Sequence, residues 1–174
     1  MSSTCLVVMG VSGAGKSTVA QLLAHHLQWP SAEADDFHPE ANIDRMTAGL
    51  PLTDDDRMPW LRSIRDWSAR HSADGTSTIV TCSALKRTYR DVLRQSRASV
   101  RFVHLSGTAE TIGGRLTSRS GHFMPSSLLH SQFDDLEPLE PDEDGTTVDT
   151  ANPPEDLVRQ TLAALDLNTC PAVR

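Results

Sequence analysis

Short apolar runs alternate along the chain with longer stretches in which apolar residues recur every three or four positions. Leu6-Val7-Val8-Met9 is the first run and reads as a buried strand. Val19, Leu22, Leu23 and Leu27 then recur at helical spacing, so a helix beginning near Thr18 buries one face, and Trp29-Pro30 ends it. Ser31 to Ala34 reads as a short second strand running into Asp35-Asp36-Phe37-His38-Pro39, followed by a loop or helical segment through Asn42, Ile43, Met46 and Gly49. Trp60, Leu61, Ile64 and Trp67 predict a helix whose N-terminus is capped and charged by the acid run Asp54-Asp55-Asp56. Further strands are predicted at Ser77–Thr81, Val100–Leu105 and Thr146–Asp149. Helices are predicted around Tyr89, Val92 and Leu93, over Ala109–Arg119, and at Leu157, Val158, Leu162 and Leu165. From Ser120 to Asp144 the chain is polar and punctuated by proline, and no regular element is predicted there.

Strands alternating with helices imply an α/β fold, a parallel sheet of about five strands covered by helices on both faces. Ligands of such sheets bind beyond the carboxyl ends of the strands, which collects Gly10–Ser17, Asp35, Ser83–Lys86 and Asp149–Pro153 along one rim. The irregular stretch beside that rim is expected to act as a lid, over about residues 120–135. At 174 residues the chain is expected to form a single domain, residues 1–174. Its net charge of −7 argues against a nucleic-acid backbone as partner. Cys5, Cys82 and Cys170 are too few and too scattered for a disulfide framework or zinc site, which suits a reducing cytoplasm. No apolar run approaches membrane-spanning length, so no membrane partner is expected.

Gly10-Val11-Ser12-Gly13-Ala14-Gly15-Lys16-Ser17 changes the picture, because it satisfies G-x-x-x-x-G-K-[ST] between a predicted strand and a predicted helix. In such a loop the backbone N–H groups turn inward on an anion, and the following helix adds positive potential at its N-terminus. Lys16 would reach the β- and γ-phosphates of a nucleotide, and the Ser17 hydroxyl, followed by Thr18, would ligate Mg²⁺. The fold class narrows to the three-layer P-loop NTPase fold.

Other blocks extend the pattern. They are Asp35-Asp36-Phe37-His38-Pro39 with Asn42-Ile43, then Pro51-Leu52-Thr53-Asp54-Asp55-Asp56-Arg57-Met58-Pro59-Trp60-Leu61, and Cys82-Ser83-Ala84-Leu85-Lys86 with Tyr89-Arg90-Asp91. Arg115-Leu116, Arg119, Gly121-His122-Phe123-Met124 and Ser131-Gln132-Phe133 complete the set. With the phosphate loop, these residues resemble the bacterial-type gluconate kinases, relatives of shikimate kinase among the small P-loop kinases. The resemblance runs from about Val7 to Asp149 and implies ATP and Mg²⁺ as cofactors, D-gluconate as acceptor, 6-phosphogluconate as product and a homodimer. Ala34 departs from it by standing where a glycine is expected, a change tolerable only if its φ is negative.

Phosphoryl transfer needs positioning and charge neutralisation. Asp35 is the candidate base and metal-side carboxylate, with Asp36 the alternative. The third strand ends in Thr81-Cys82-Ser83 and lacks the aspartate of many P-loop ATPases, which places metal work on Ser17 and Asp35. Arg115, on the nucleotide side, and Arg119 border the lid and would neutralise charge on the phosphoryl group. A linear sugar acid needs cations at its carboxylate end. Arg57, Lys86 and Arg90 are the candidates, the last two expected on one helix face, while His38, and His122 by the resemblance, would meet hydroxyls. The competing readings are shikimate kinase and a nucleotide-dependent switch without an acceptor.

Overall fold

The computed structural model describes residues 3–118 and 126–167. Strands Thr4–Met9 (β1), Ser31–Glu33 (β2), Thr78–Thr81 (β3), Ser99–Ser106 (β4) and Gly145–Asp149 (β5) form one parallel sheet in the order β2-β3-β1-β4-β5. The helices among the described residues are Lys16–Leu27 (α1), Glu40–Thr47 (α2), Asp54–Ala73 (α3), Arg87–Leu93 (α4), Ala109–Ser118 (α5), Ser126–Asp135 (α6) and Pro154–Ala164 (α7). None of them is long and apolar enough to cross a membrane.

The period-two alternation of β1 sorts its side chains to the two faces. Leu6 and Val8 join Val19, Ala20 and Leu23 of α1, Ile112 of α5, Leu129 of α6, and Leu157 and Leu162 of α7 on one face. Cys5, Val7 and Met9 join Trp60, Leu61 and Ile64 of α3 and Tyr89 and Leu93 of α4 on the other. Because both faces are covered, β1 is apolar at nearly every position, which is why its sequence reads as a run rather than an alternation.

The structure differs from the sequence reading at the end of the second strand and again in the stretch after α5. The second strand stops at Glu33, and Ala34 opens a 3-10 turn, Ala34–Phe37, which carries both aspartates off the sheet edge. Ala34 is absent from the positive-φ residues and is buried, its carbonyl accepting from Trp60 Nε1 at 2.7 Å, so its methyl fits. The other difference is α6, a helix within the stretch expected to be irregular. Its apolar positions, Leu129 and Phe133 with Leu136 beyond, are too few to declare a period against the surrounding polar residues.

His104 on β4 is 3 % exposed, and among the described residues neither ring nitrogen has a partner. Burial, aided by the nearby Arg90 guanidinium, pushes its imidazole down to about 4. A histidine ordinarily takes up its proton near 6.5, so in acid the unfolded chain binds a proton that the folded chain refuses. Stability held above pH 6.5 is therefore lost as pH falls from 6.5 towards 4, by about 3 kcal/mol in all. His104→Met should flatten that limb of a urea-denaturation series. An unchanged acid slope in the variant would show that other groups set it.

Candidate active site

The phosphate loop leaves β1 at Gly10, whose φ of 147° suits glycine, and a Cβ there would sit 2.8 Å from the Leu105 carbonyl oxygen. Gly15, at φ 95°, stands at the N-terminus of α1, which has no side-chain cap. The first amides of α1 are thus left for an anion, with Ser17 and Thr18 exposed beside them. Lys16 Nζ folds back over the loop, donating to the carbonyls of Gly10 and Val11 at 3.0 Å each. Burial lowers the Lys16 ammonium from its ordinary value, opposed by Cys82, Asp35 and Glu33, which raise it. Cys82 itself is a buried thiol pushed up to about 12 by loss of solvent, so it is inert at neutral pH.

These same neighbours place the carboxylates. Asp35, exposed at the start of the 3-10 turn, is the aspartate felt by Lys16, Cys82 and His38. Glu33, which the sequence reading passed over, accepts a hydrogen bond from Thr81 Oγ1 at the end of β3. The neighbouring strand therefore delivers a carboxylate to the place where β3 lacks one. Its signal was the register of two short parallel strands, Glu33 beside Thr81, which a sequence does not state. Among the described residues no group of three or more His, Cys, Asp or Glu could enclose a metal ion. The oxygen donors present, Ser17 and these carboxylates, suit a hard divalent cation that takes its remaining ligands from phosphate and water.

Towards the acceptor side, the His38 ring stacks on Trp60 at 4.3 Å between centroids. Asn42 Nδ2 donates to the Asp56 carbonyl at 2.9 Å, which fixes the amide's orientation, so the 3.3 Å contact with His38 Nδ1 is a donation to that nitrogen. Burial, with Arg57 adding to it and Asp35 opposing, lowers the His38 imidazole from its ordinary value. His38 is thus neutral with its proton on Nε2. The sequence reading placed His38 but missed Trp60 and Asn42 as what fixes it.

Arg57 and Lys86 both lie over the Tyr89 ring, 5.5 and 5.6 Å from its centroid, and Arg57 Nη1 donates to Tyr89 Oη at 2.8 Å. Asp54 accepts from Tyr89 Oη and from Lys86 Nζ at 3.3 Å, with Arg57 at 3.9 Å. The Asp54 side chain is 57 % exposed, so these pairs are weak and both cations stay within reach of a competing anion. Thr53 is the N-cap residue of α3, in a reciprocal capping box with Asp56 of the acid run.

Arg90 corrects the sequence reading. Lys86 is the N-cap of α4 with extended backbone, so the two residues do not share a helix face. Arg90 is 0 % exposed, and all five of its N–H donors are taken. Nε and Nη2 bind Glu143 at 2.7 and 3.0 Å, Nη1 reaches the carbonyls of Ala84 and Leu85, and Nη2 also reaches that of Pro138. It has nothing left for a substrate carboxylate, and it clasps a turn in which Ala84 sits at φ 45°. Arg115 donates to the Thr150 carbonyl, in the segment after β5. Arg119 and His122 lie outside the described residues, as does the first part of the expected lid.

The family model of adenylylsulphate kinase matches residues 2–111, the part of the chain that holds the phosphate loop and the acceptor-side cluster. A gluconokinase of Gluconobacter oxydans is 50% identical over 132 residues, covering 76% of this chain and 74% of its own. The unliganded structure of a sugar kinase from Janibacter is 54% identical, with a TM-score of 0.90 over 95% of this chain and 96% of that one. A gluconokinase structure from Sinorhizobium meliloti is 44% identical, with a TM-score of 0.84 over 94% and 92%. At these identities, over three quarters or more of its length, the chain belongs to the gluconokinase family of P-loop kinases.

Proposed function

We propose that the protein transfers the γ-phosphoryl group of ATP to the terminal 6-hydroxyl of D-gluconate, giving 6-phospho-D-gluconate and ADP. The observation that carries this reading is the pairing of Lys16 and Asp35 at one end with Arg57 and Lys86 on Tyr89 at the other. A linear sugar acid has matching ends, a primary alcohol and a carboxylate, with hydroxyls between. Arg57 and Lys86 take the carboxylate in place of Asp54, and His38 donates from Nε2 to a chain hydroxyl. Asp35 orients the attacking hydroxyl and accepts its proton. Lys16 and the loop amides hold the phosphates, and Arg115 and Arg119 flank the nucleotide. Mg²⁺ would be held by Ser17, with Asp35 and Glu33 behind it, and would supply neutralisation of the charge that builds up during transfer.

The reading extends to a single kinase domain whose lid, over about residues 120–135, is anchored on the core through Leu129 and Phe133 of α6, working as a cytoplasmic homodimer without nucleic-acid or membrane partners. The net charge of −7 supports the last point.

The test is acceptor-dependent ADP release with gluconate, glucose, shikimate and no acceptor. Gluconate should exceed glucose by at least about 10³-fold in kcat/KM, because glucose brings no carboxylate to draw Arg57 and Lys86 from Asp54 and is a ring where the site fits an open chain. Equal release with all four solutions would identify a nucleotide-dependent switch, and preference for shikimate would overturn the assignment of acceptor.

A further inference from the structure

The peptide unit joining Val11 to Ser12 is engaged at both ends. Its carbonyl accepts from Lys16 Nζ at 3.0 Å, and its N–H donates to Gln132 Oε1 at 2.7 Å. A trans peptide points its C=O and N–H in opposite directions, so Gln132 stands on the side of the loop away from the lysine. The three groups form one chain of hydrogen bonds, ammonium to carbonyl and amide to amide, in which each bond polarises the next.

Gln132 sits on a fixed support. Leu129 of α6 is buried in the core beside Ile112, and Phe133 and Leu136 pack against the same cluster. Immediately beyond α6, Glu137 N–H donates to the Leu85 carbonyl at 2.7 Å, and Glu137 Oε1 accepts from Arg87 N–H at 3.0 Å. The helix is thereby tied to the turn that bears Lys86 as well as to the phosphate loop. Rotation of the Val11–Ser12 peptide would carry the Val11 carbonyl away from Lys16, and the Gln132 bond opposes that rotation.

We infer that Gln132 is a positioning residue for phosphoryl transfer, holding the Val11–Ser12 peptide so that its carbonyl fixes the Lys16 ammonium. The inference rests on the kinase reading above, and it concerns a residue that touches neither substrate. Its amide oxygen, rather than its bulk, is the working group.

The experiment is a cycle of Gln132→Met, Lys16→Ala and the double variant, with ADP affinity measured by calorimetry and turnover measured with gluconate. Gln132→Ala replaces the methionine variant should that fail to fold. Gln132→Met should lower kcat about tenfold with the gluconate KM within about threefold, and should weaken ADP binding. In the Lys16→Ala background the same change should alter ADP affinity less than about twofold, because the group it positions is gone. A merely structural tie between α6 and the loop would weaken ADP binding equally in both backgrounds, and that result overturns the inference, as does unchanged kcat in Gln132→Met. Absence of wild-type turnover on gluconate would defeat the proposed acceptor instead, since the ADP cycle needs no acceptor.

Discussion

Replacing Lys16 by alanine is expected to lower kcat by about 10²–10³-fold or more while the protein keeps its fold. The ammonium is the one positive side chain lying on the phosphate loop among the described residues, anchored on the Gly10 and Val11 carbonyls and opposed by Asp35 and Glu33. Removing it leaves two carboxylates facing an incoming polyanion, so nucleotide affinity should fall together with the rate. The side chain is only partly buried and joins no apolar cluster, so the thermal midpoint should move little. Near-wild-type turnover from a well-folded variant would remove Lys16 from the chemistry and with it the assignment of the loop.

Arg90→Met should be as damaging to the fold as Lys16→Ala is to the rate. The change leaves Glu143, with a side chain 0 % exposed, holding a charge whose main partner is gone. Burial pushes the Glu143 carboxyl up, and only Arg90 with Arg94 outweighs that and holds it below its ordinary value. Breaking one side of a buried pair costs about 3–5 kcal/mol, which for a chain of this size lowers the thermal midpoint by roughly 10 °C. Arg90→Met combined with Glu143→Leu should recover much of the loss, because the stranded charge leaves as well. If Arg90→Met instead kept full stability and raised the gluconate KM about tenfold or more, the arginine would return to the substrate site.

That contrast shows where the sequence was legible. The phosphate loop was readable because its chemistry is local: a strand, three glycines and a lysine within the eleven residues from Leu6 to Lys16 carry their own geometry. The strands were readable for a similar reason, since burial on both faces leaves an apolar run, and all five appear within a few residues of where the pattern puts them. Arg90 was misjudged because its environment comes from Glu143, 53 positions away in an irregular stretch with no period to read. Glu33, Trp60 and Gln132 escaped for the same cause. Each acquires its role from a partner on another element: Thr81 on β3, His38 after the 3-10 turn, and Ser12 in the loop.

The strand order has a consequence for how this protein is made. β1 lies at the centre of the sheet, bonded to β3 on one side and β4 on the other, and neither is its neighbour in sequence. On a ribosome, the strand that carries the phosphate loop is synthesised first, yet it gains its second flank only after Ser106 has emerged. Until then Leu6-Val7-Val8-Met9 presents at least one unpaired apolar edge, the kind of surface on which nascent chains associate wrongly. Parallel pairing across such separations is slow, since each contact closes a long loop before it gains anything. The part of the chain most easily read as functional is therefore the part most exposed to misassembly during synthesis.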